Sequence, residues 1–305
     1  MKRKQIHHFK SISVFHKMSG IPKPEHPLIS LIDYGQVDYQ TDERELSWIQ
    51  DFYSIGLKRH IQGKFRYGQQ AYDFDEGLMS FVAPGQLLTI TIEKQMVKPS
   101  GWLLLIHPDF IWNTSLAKSI RKYDFFGYAI NEALFMSDKE EHILIDIMQS
   151  IEREYHSNID LSSQSIMISY IEVLLNYAER FYRRQFITRN KSSHQLLDKL
   201  ESLLNEYFDG EDLSTKGLPT AQYFAELLHI SPNYLSSLLK NLSGQSTQQH
   251  IHNKLIEKAK EKLSTTSLSI SEIAYILGFE HPQSFNKLFK SKTNQTPLAF
   301  RASFN

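Results

Sequence analysis

Hydrophobic and polar positions follow two different periods along the first 190 residues. Between residues 28 and 112, short apolar runs are separated by glycine- and proline-containing turns. Runs of this kind predict the strands of a small β-sandwich or barrel. The clearest runs are residues 77–83, 88–92 and 102–106. Residues 1–27 are polar and proline-rich near their end, and we expect them to form an irregular N-terminal arm.

After about residue 115 the apolar spacing becomes helical. Ser137–Glu140 forms a capping box ahead of isoleucines at every fourth position, and a longer helix is predicted from Ser162 to Arg184. One apolar row of the longer helix is expected to pack on the β-domain. A second row lies beside it, at Ile166, Tyr170, Val173 and Tyr177. A dimer partner or a thick intrachain core can cover this second row, and we favour the dimer.

These patterns divide the chain into an arm, a sensor domain and a C-terminal helical domain. The sensor domain is predicted at 28–190, with dimerisation helices at about 137–184, and Arg183–Ser193 is the predicted linker. The C-terminal domain is predicted at 195–305, with helix-turn-helix units at about 220–242 and 270–291.

The two helix-turn-helix units are one supersecondary motif used twice. Ala225 pairs with Ala274, and Ile230 pairs with Phe279 after the turn. Each second helix opens on a proline, which suits the first helical position because its fixed φ is already helical. Ser231 is the expected N-cap of the first. Further matched positions are Leu228 and Leu277, Pro232 and Pro282, Leu235 and Phe285, Leu238 and Leu288, Leu239 and Phe289, and Lys240 and Lys290.

The outward faces of the two second helices carry amides, hydroxyls and ammonium groups and no carboxylate. Such side chains can donate hydrogen bonds to base edges and phosphates in a major groove, whereas ordinary solvated faces usually include Glu or Asp. We therefore predict that these faces bind DNA. The candidate DNA-binding residues are Asn233, Ser236, Ser237, Lys240, Asn241, Gln283, Ser284, Asn286, Lys287 and Lys290.

A continuous helix is predicted between the units, from Thr247 to Leu263, because apolar residues recur there at every fourth position. At 1.5 Å per residue it spans roughly 25 Å. A rigid spacer of this length could hold two recognition helices about one DNA turn, roughly 34 Å, apart. Its lysines 254, 258 and 262 are expected to face solvent or the intervening DNA backbone.

Charge separates the same two parts of the chain. The 305 residues carry 34 Lys+Arg and 34 Asp+Glu. Residues 229–305 hold nine basic and four acidic side chains, a net charge of +5 that leaves −5 on residues 1–228. A basic reader joined to an acidic sensor is typical of a nucleic-acid-binding regulator, although a split of this size also arises by chance.

The second unit also resembles a known family, the AraC/XylS-type bacterial transcription regulators. The resemblance covers about 196–303 and is most specific at Ile273-Ala274, Gly278-Phe279, Phe285, Phe289-Lys290, Thr296-Pro297 and Phe300-Arg301. Gln283-Ser284, Lys287 and Asn294 depart from the family pattern; Asn294 preserves the turn because Asn tolerates left-handed φ. The front part resembles, more weakly, the family's cupin-like sensor, through Gly77 and Pro84-Gly85. The expected fold is thus α+β, with an N-terminal cupin-like β-barrel or sandwich followed by helices and a C-terminal all-α domain.

An enzyme is the rival class, and little in the sequence favours it. The chain has no cysteine, no glycine-rich phosphate loop and no nucleophile elbow. In the strand region His60 and His107 are far apart, and His250 and His252 point about 200° apart on a helix, so they cannot share a metal. We therefore predict no catalytic residue, no metal and no cofactor, and leave any ligand-binding residues unassigned.

The expected partners are double-stranded DNA and a second copy of the chain, with RNA polymerase and a small-molecule effector as candidates. A DNA-binding regulator without any small ligand, controlled by a partner protein or by abundance, is the alternative. No apolar run of 18 residues and no secretory signal occur, so we expect a cytoplasmic protein without membrane contact.

Overall fold

A computed structural model of the chain separates two units, residues 1–185 and 186–305. The structure describes residues 6–37, 45–59, 65–67, 70–72, 77–91, 100–129, 132–157, 162–188, 190–209, 213 and 217–303. His60 lies outside these ranges. None of the helices in them is both long and apolar enough to cross a bilayer.

The N-terminal unit contains two sheets and a short hairpin. The three-stranded sheet has the order β1-β3-β8, the five-stranded sheet has the order β10-β7-β4-β9-β2, and β5 pairs with β6. Only the β1–β3 pairing is parallel among the described pairs. The strands are β1 (Ile6–Phe9), β2 (Ile29–Asp33), β3 (Glu45–Gln50), β4 (Tyr53–Arg59), β5 (Phe65–Tyr67), β6 (Gln70–Tyr72), β7 (Leu78–Val82), β8 (Leu87–Thr91), β9 (Ser100–Ile106) and β10 (Leu134–Phe135).

The inner faces of the two larger sheets meet in one apolar core. Alternate residues of a strand point to opposite faces, so residues 54, 56 and 58 of β4 share a face with the residues paired opposite them. Those partners include Val82, Leu103 and Leu105, which pack with Leu46, Trp48 and Leu88 of the three-stranded sheet. The two larger sheets are therefore layered across this core.

A closed barrel is not formed by the described strands. The three- and five-stranded sheets remain separate in their pairing, and no described strand belongs to both. The unit is thus mixed α+β with two open sheets, and the cupin-like barrel expected from the sequence is not confirmed.

The same unit contains helices as well as sheets. They are α1 (Ile12–Met18), α2 (Pro108–Ile111), α3 (Ser115–Ser119), α4 (Asp138–Tyr155) and α5 (Ser163–Thr188). Of these, α4 packs on the outer face of the five-stranded sheet. Helix α4 begins with the predicted capping box of Ser137 and Glu140. Its Glu141 accepts a hydrogen bond from Arg59 at 2.6 Å, and its Glu152 accepts one from the indole of Trp102 at 3.2 Å. These contacts hold α4 against β4 and β9.

Helix α5 has one buried and one exposed apolar row, as its sequence predicts. Met167, Ile171, Leu174, Ala178 and Phe181 are at most 6% exposed. In the second row Ile166 and Val173 are 37% and 42% exposed, and Tyr170 and Tyr177 are partly exposed. The second row therefore has apolar surface that the chain itself does not fully bury.

Part of the predicted irregular arm is regular: it contains strand β1 and helix α1, which corrects the sequence prediction for these residues. Strand β1 pairs with β3, and Ser11 caps α1, whose Ile12 and Phe15 are buried in the core between the sheets. The i, i+3 spacing of these two residues after a serine was the missed signal. His16 fixes the helix further: its Nδ1 lies 2.5 Å from the Pro22 carbonyl oxygen and its Nε2 2.9 Å from the Ser30 hydroxyl.

The C-terminal unit is helical and has its own core. Its helices are α6 (Asn190–Asp209), α7 (Ala221–Leu227), α8 (Pro232–Ser243), α9 (Thr247–Thr265), α10 (Ile270–Ile276), α11 (Pro282–Thr293) and α12 (Pro297–Ala302). Leu255 and Ala259 of α9 are fully buried between Phe224 of α7 and Phe285 of α11 in one apolar cluster. The boundary between the two units, after Gln185, falls within the predicted linker at 183–193. This segment is mostly helical, since α5 ends at Thr188 and α6 begins at Asn190.

The turn of the second helix-turn-helix unit depends on Gly278. Its φ is +85°, a left-handed value that glycine adopts without a steric penalty. A Cβ at this position would lie 2.8 Å from the carbonyl carbon and oxygen of Gly217 and 3.1 Å from the Leu213 carbonyl oxygen. In the first unit the equivalent residue is His229, with φ +56° and no glycine.

We predict that Gly278→Ala lowers the free energy of unfolding of the C-terminal unit by about 2–4 kcal/mol, because it adds both left-handed strain and a clash with rigid backbone. Urea denaturation followed by circular dichroism measures this. The matched change His229→Gly relieves strain while adding chain entropy, so it should shift stability by less than about 1 kcal/mol. Equal effects of the two changes would contradict this account.

Burial lowers the pKa of His16, outweighing the opposing effect of its hydrogen bond to Pro22. The unfolded chain then binds a proton at higher pH than the folded one, so stability is present above about pH 6.5 and declines as pH falls below it. We predict that His16→Gln, compared with the wild type, flattens the loss of stability between pH 7 and 5. Thermal melts across this range test the prediction, and parallel slopes for the two proteins would refute it.

Candidate nucleic-acid interface

The two second helices begin as the sequence predicts. Ser231 accepts a hydrogen bond from the Tyr234 amide and caps α8, with Pro232 at the first helical position. Pro282 takes the same place in α11, although His281 at its N-cap makes no side-chain capping bond. The first helix of the second unit, α10, opens with a capping box of Ser269 and Glu272.

Buried aromatic rings hold α11 in place from behind. Phe285 and Phe289 are both fully buried, with ring centroids 5.8 Å apart. Phe279 lies 5.5 Å from Phe285 on one side, and Phe300 of α12 lies 5.5 Å from Phe289 on the other. Because its inner face is fixed by this row, the opposite face of α11 has a defined orientation within the unit.

All five candidate residues on α11 lie on that opposite, exposed face. They are Gln283, Ser284, Asn286, Lys287 and Lys290. Within the described part of the chain, Gln283, Asn286 and Lys287 make no side-chain hydrogen bond or ion pair, and α11 contains no acidic residue. Their amide and ammonium donors are therefore available to a ligand in solution.

The candidate residues on α8 are less uniformly exposed. Asn233, Lys240 and Asn241 are exposed, and Ser236 is half-buried. Ser237, predicted to face outward, is instead buried, at 8% exposure.

Neighbours on α8 account for part of this difference. The side-chain amide of Asn241 donates to the backbone carbonyl of Ser237 at 2.8 Å, which folds it back along the helix. The ring of Tyr234, one turn earlier, lies 5.2 Å from that of Phe186, edge to face. Helical position alone did not reveal either contact.

The helix between the units, α9, carries lysines that are engaged by neighbouring groups. Lys258 contacts Asp209 of α6 at 2.6 Å and Glu261 at 3.1 Å, and Lys254 contacts Glu257 at 3.0 Å. The Asp209 and Glu261 carboxylates raise the pKa of Lys258. These two lysines were expected to face solvent or DNA, but they are occupied by intramolecular ion pairs.

His250 and His252 of α9 bind different partners. Nε2 of His250 lies 2.8 Å from the Ser243 hydroxyl, and Nε2 of His252 receives a hydrogen bond from Gln248 at 2.9 Å. Burial lowers the pKa of both imidazoles, and Lys292 lowers that of His252 further. Each imidazole thus has its own hydrogen-bond partner, and the two rings do not converge on a common ligand.

Three residues shape the turns and the last helix of the C-terminal unit. His229 adopts the left-handed φ that Gly278 supplies in the second unit, a role visible only by aligning the units position by position. Asn294 ends α11 with φ +58°, as its predicted tolerance of left-handed φ requires. In addition, Nε of Arg301 donates to the Leu263 carbonyl at 3.3 Å, which ties α12 to the end of α9.

The C-terminal unit is similar in sequence to known helix-turn-helix proteins. The model of the helix-turn-helix domain family matches residues 224–303. The chain is 32% identical over 142 residues to the uncharacterised HTH-type transcriptional regulator YfiF of Bacillus subtilis, an alignment covering 47% of this chain and 42% of that protein. The chain spans less than half the length of the curated relatives it matches.

Solved structures resemble the same region. The C-terminal domain of the two-component response regulator yesN from Fusobacterium nucleatum is 31% identical, and the match covers 34% of this chain and 95% of that one with a TM-score of 0.30. An AraC-type transcriptional regulator from Chromobacterium violaceum is 22% identical over 37% of this chain and 95% of its own, with a TM-score of 0.31.

The curated relatives that match this region include HTH-type transcriptional regulators. The matched region contains α8 and α11, which are the second helices of the two helix-turn-helix units. It also contains the joining helix α9 and the phenylalanine rings behind α11. Residues 224–303 therefore form a helix-turn-helix domain of the AraC type, similar to the domains of HTH-type transcriptional regulators.

Proposed function

We propose that this protein is a sequence-specific DNA-binding transcription regulator whose helices α8 and α11 enter successive major grooves. The outer face of α11 carries the proposal, because it presents five exposed polar or cationic side chains, without a carboxylate, on a helix fixed by buried rings. Amides and ammonium groups in this arrangement match the acceptors of base edges and phosphates.

Within this interface the side chains divide by chemistry. Lys240, Lys287 and Lys290 are exposed cations suited to phosphates, which give affinity without sequence information. Asn233, Gln283 and Asn286 carry planar amides that can pair with a base edge in two places. Ser236, Ser284 and Asn241 lie at the margins of the two faces, and Ser237 is buried.

We also propose that the protein acts as a homodimer through the exposed row of α5. Ile166 and Val173 keep over a third of their surface exposed beside the partly exposed Tyr170 and Tyr177. An apolar stripe along a helix is typical of a surface that another helix covers. A dimer would supply two pairs of recognition helices and so lengthen the DNA site.

The N-terminal unit is proposed to act as the sensor for a small-molecule effector. The support is that it forms a unit with its own apolar core, separate from the helical unit that carries the candidate DNA interface. An acidic N-terminal part also stays off the DNA phosphates.

Removing a phosphate-contacting lysine should weaken binding to all DNA. We predict that Lys240→Ala and Lys287→Ala each reduce affinity and lower the log–log salt slope by about 0.9, the value for one phosphate contact. Gel shifts from 50 to 300 mM salt measure this on a fragment isolated by genome-wide footprinting. Lys199→Ala removes the same charge from an exposed site on α6 and should leave the slope unchanged. A slope unaffected by all three changes would refute the assignment.

Removing an amide should instead change which sequence is preferred. We predict that Asn286→Ala or Gln283→Ala costs about 1–3 kcal/mol on the best site and relaxes selection at one base pair, with non-specific affinity retained. Selection from a randomised oligonucleotide pool, followed by sequencing, reads this out. Gln295→Ala, an exposed amide after α11, is the matched control. An unaltered base preference in both variants would show that α11 does not read sequence.

A further inference from the structure

All but one of the helices that begin within residues 217–303 have the same kind of N-cap. At each of these helices a serine or threonine hydroxyl oxygen accepts a hydrogen bond from a backbone amide of the first turn. The capping residues are Thr220 for α7, Ser231 for α8, Ser246 for α9, Ser269 for α10 and Thr296 for α12. Such a bond stabilises the helix because its first amides have no partner within it. The exception is α11, where the N-cap is His281 and its side chain makes no capping bond.

The backbone at residue 281 is compatible with capping. His281 has φ −133° and ψ 125°, in the extended region where N-cap residues lie. Pro282 opens α11 as Pro232 opens α8, and the residue before Pro232 is the capping Ser231. His281 is also exposed, as several of the capping residues are. Helix stability alone would therefore favour a serine at this position, and the imidazole requires another explanation.

The imidazole of His281 is available to a ligand. Its ring nitrogens make no hydrogen bond or ion pair with any residue that the structure describes. The imidazoles of His250 and His252 differ, since each is paired with a neighbouring side chain. The backbone of His281 is nevertheless held in place, because its carbonyl oxygen accepts a hydrogen bond from the Ser284 amide at 3.0 Å. A side chain without an intramolecular role thus stands at a fixed point ahead of α11.

His281 lies beside the outward face of α11 and not within it. At 100° per residue, position 281 is about 40° from Phe285 on the buried side and about 160° from Gln283 on the outward side. In helix-turn-helix complexes the first residues of the second helix contact base edges, whereas half or more of all protein–DNA hydrogen bonds go to phosphate and sugar. An exposed side chain that precedes the helix and stands outside its outward face is therefore placed to meet the backbone of the duplex rather than its base edges.

We propose that His281 contacts the DNA backbone, with a ring N–H donating a hydrogen bond to a phosphate oxygen at the edge of the groove that α11 enters. The phosphate is anionic, so this hydrogen bond is charge-assisted. A serine at residue 281 would be shorter and its hydroxyl would be held by the helix amides, so it would not replace the imidazole. Positions that break a local rule of stability are commonly functional ones. The inference rests on the proposed function and adds to it a residue that helical periodicity does not select.

Substitution of His281 separates a DNA contact from helix stability. His281→Ser supplies the residue type of the other N-caps, so it should melt at a higher temperature than the wild type. It should nevertheless bind the footprinted fragment about tenfold more weakly, because a hydrogen bond to a charged group is lost. His281→Ala should lose affinity by the same factor without the gain in melting temperature. Thermal melts and gel shifts of the full-length protein measure both properties. Affinity of either variant equal to or above that of the wild type would overturn the proposal.

A neighbouring substitution serves as the control. Glu280→Gln changes the exposed residue next to His281 and removes a negative charge, so it should not weaken binding to DNA. A loss of affinity as large as that of His281→Ala would assign the effect to the turn as a whole and overturn the proposal.

The kind of contact is tested by sequence selection. Because a phosphate contact carries no sequence information, His281→Ala should lose the same factor of affinity on unrelated duplexes and should select the same bases from a randomised pool. An altered base preference would overturn the phosphate assignment. A wild-type protein that binds no DNA would defeat the proposed function itself, whereas undiminished binding by both His281 variants would defeat this inference alone.

Discussion

Each recognition helix depends on one left-handed residue in the turn before it. Gly278 allows the backbone carbonyls of Leu213 and Gly217 to lie directly against the turn between α10 and α11. His229 adopts a left-handed φ at the equivalent position of the first unit, at a higher local cost because it has a side chain. The repeat therefore conserves a backbone geometry more strictly than it conserves a residue type.

Packing of aromatic rings then fixes the orientation of α11 and so of its exposed face. Phe279, Phe285, Phe289 and Phe300 form a row in which each ring lies between 5.5 and 5.8 Å from the next. Edge and tilted contacts of this kind add stability beyond area burial and restrict rotation of the helix. Because one face is fixed in this way, the polar side chains on the other face need no contacts of their own to be well placed.

The sequence predicted elements whose signals are local. The capping boxes at Ser137 and Ser269, the prolines that open α8 and α11, and the left-handed Asn294 all follow from residue type and spacing, and the structure has them. The sequence did not predict that the arm packs into the core, because Ile12 and Phe15 become buried only when β1 pairs with a distant strand. Burial of Ser237 was likewise not visible from helical periodicity.

Long-range charge pairs escaped prediction for the same reason. Asp209 and Lys258 are 49 positions apart in sequence, so nothing local indicated their 2.6 Å contact. The candidate DNA-contacting residues on α11 could be predicted from the sequence, because the spacing of the phenylalanines on one face of the helix determines which residues are exposed on the other. The position of Lys58 on the inner face of the sheet could not be predicted from the sequence, since it depends on the register of β4 against β7 and β9.

The engaged lysines of α9 have a mechanical consequence. Lys254 and Lys258 are neutralised by carboxylates, and Lys260 lies 5.8 Å from the Phe300 ring centroid. In the proposed DNA complex, a helix whose lysines are occupied in this way would attract the DNA between the two grooves only weakly. Any curvature of the bound double helix would then be generated at the two ends of α9, by how deeply each terminal helix sits in its groove.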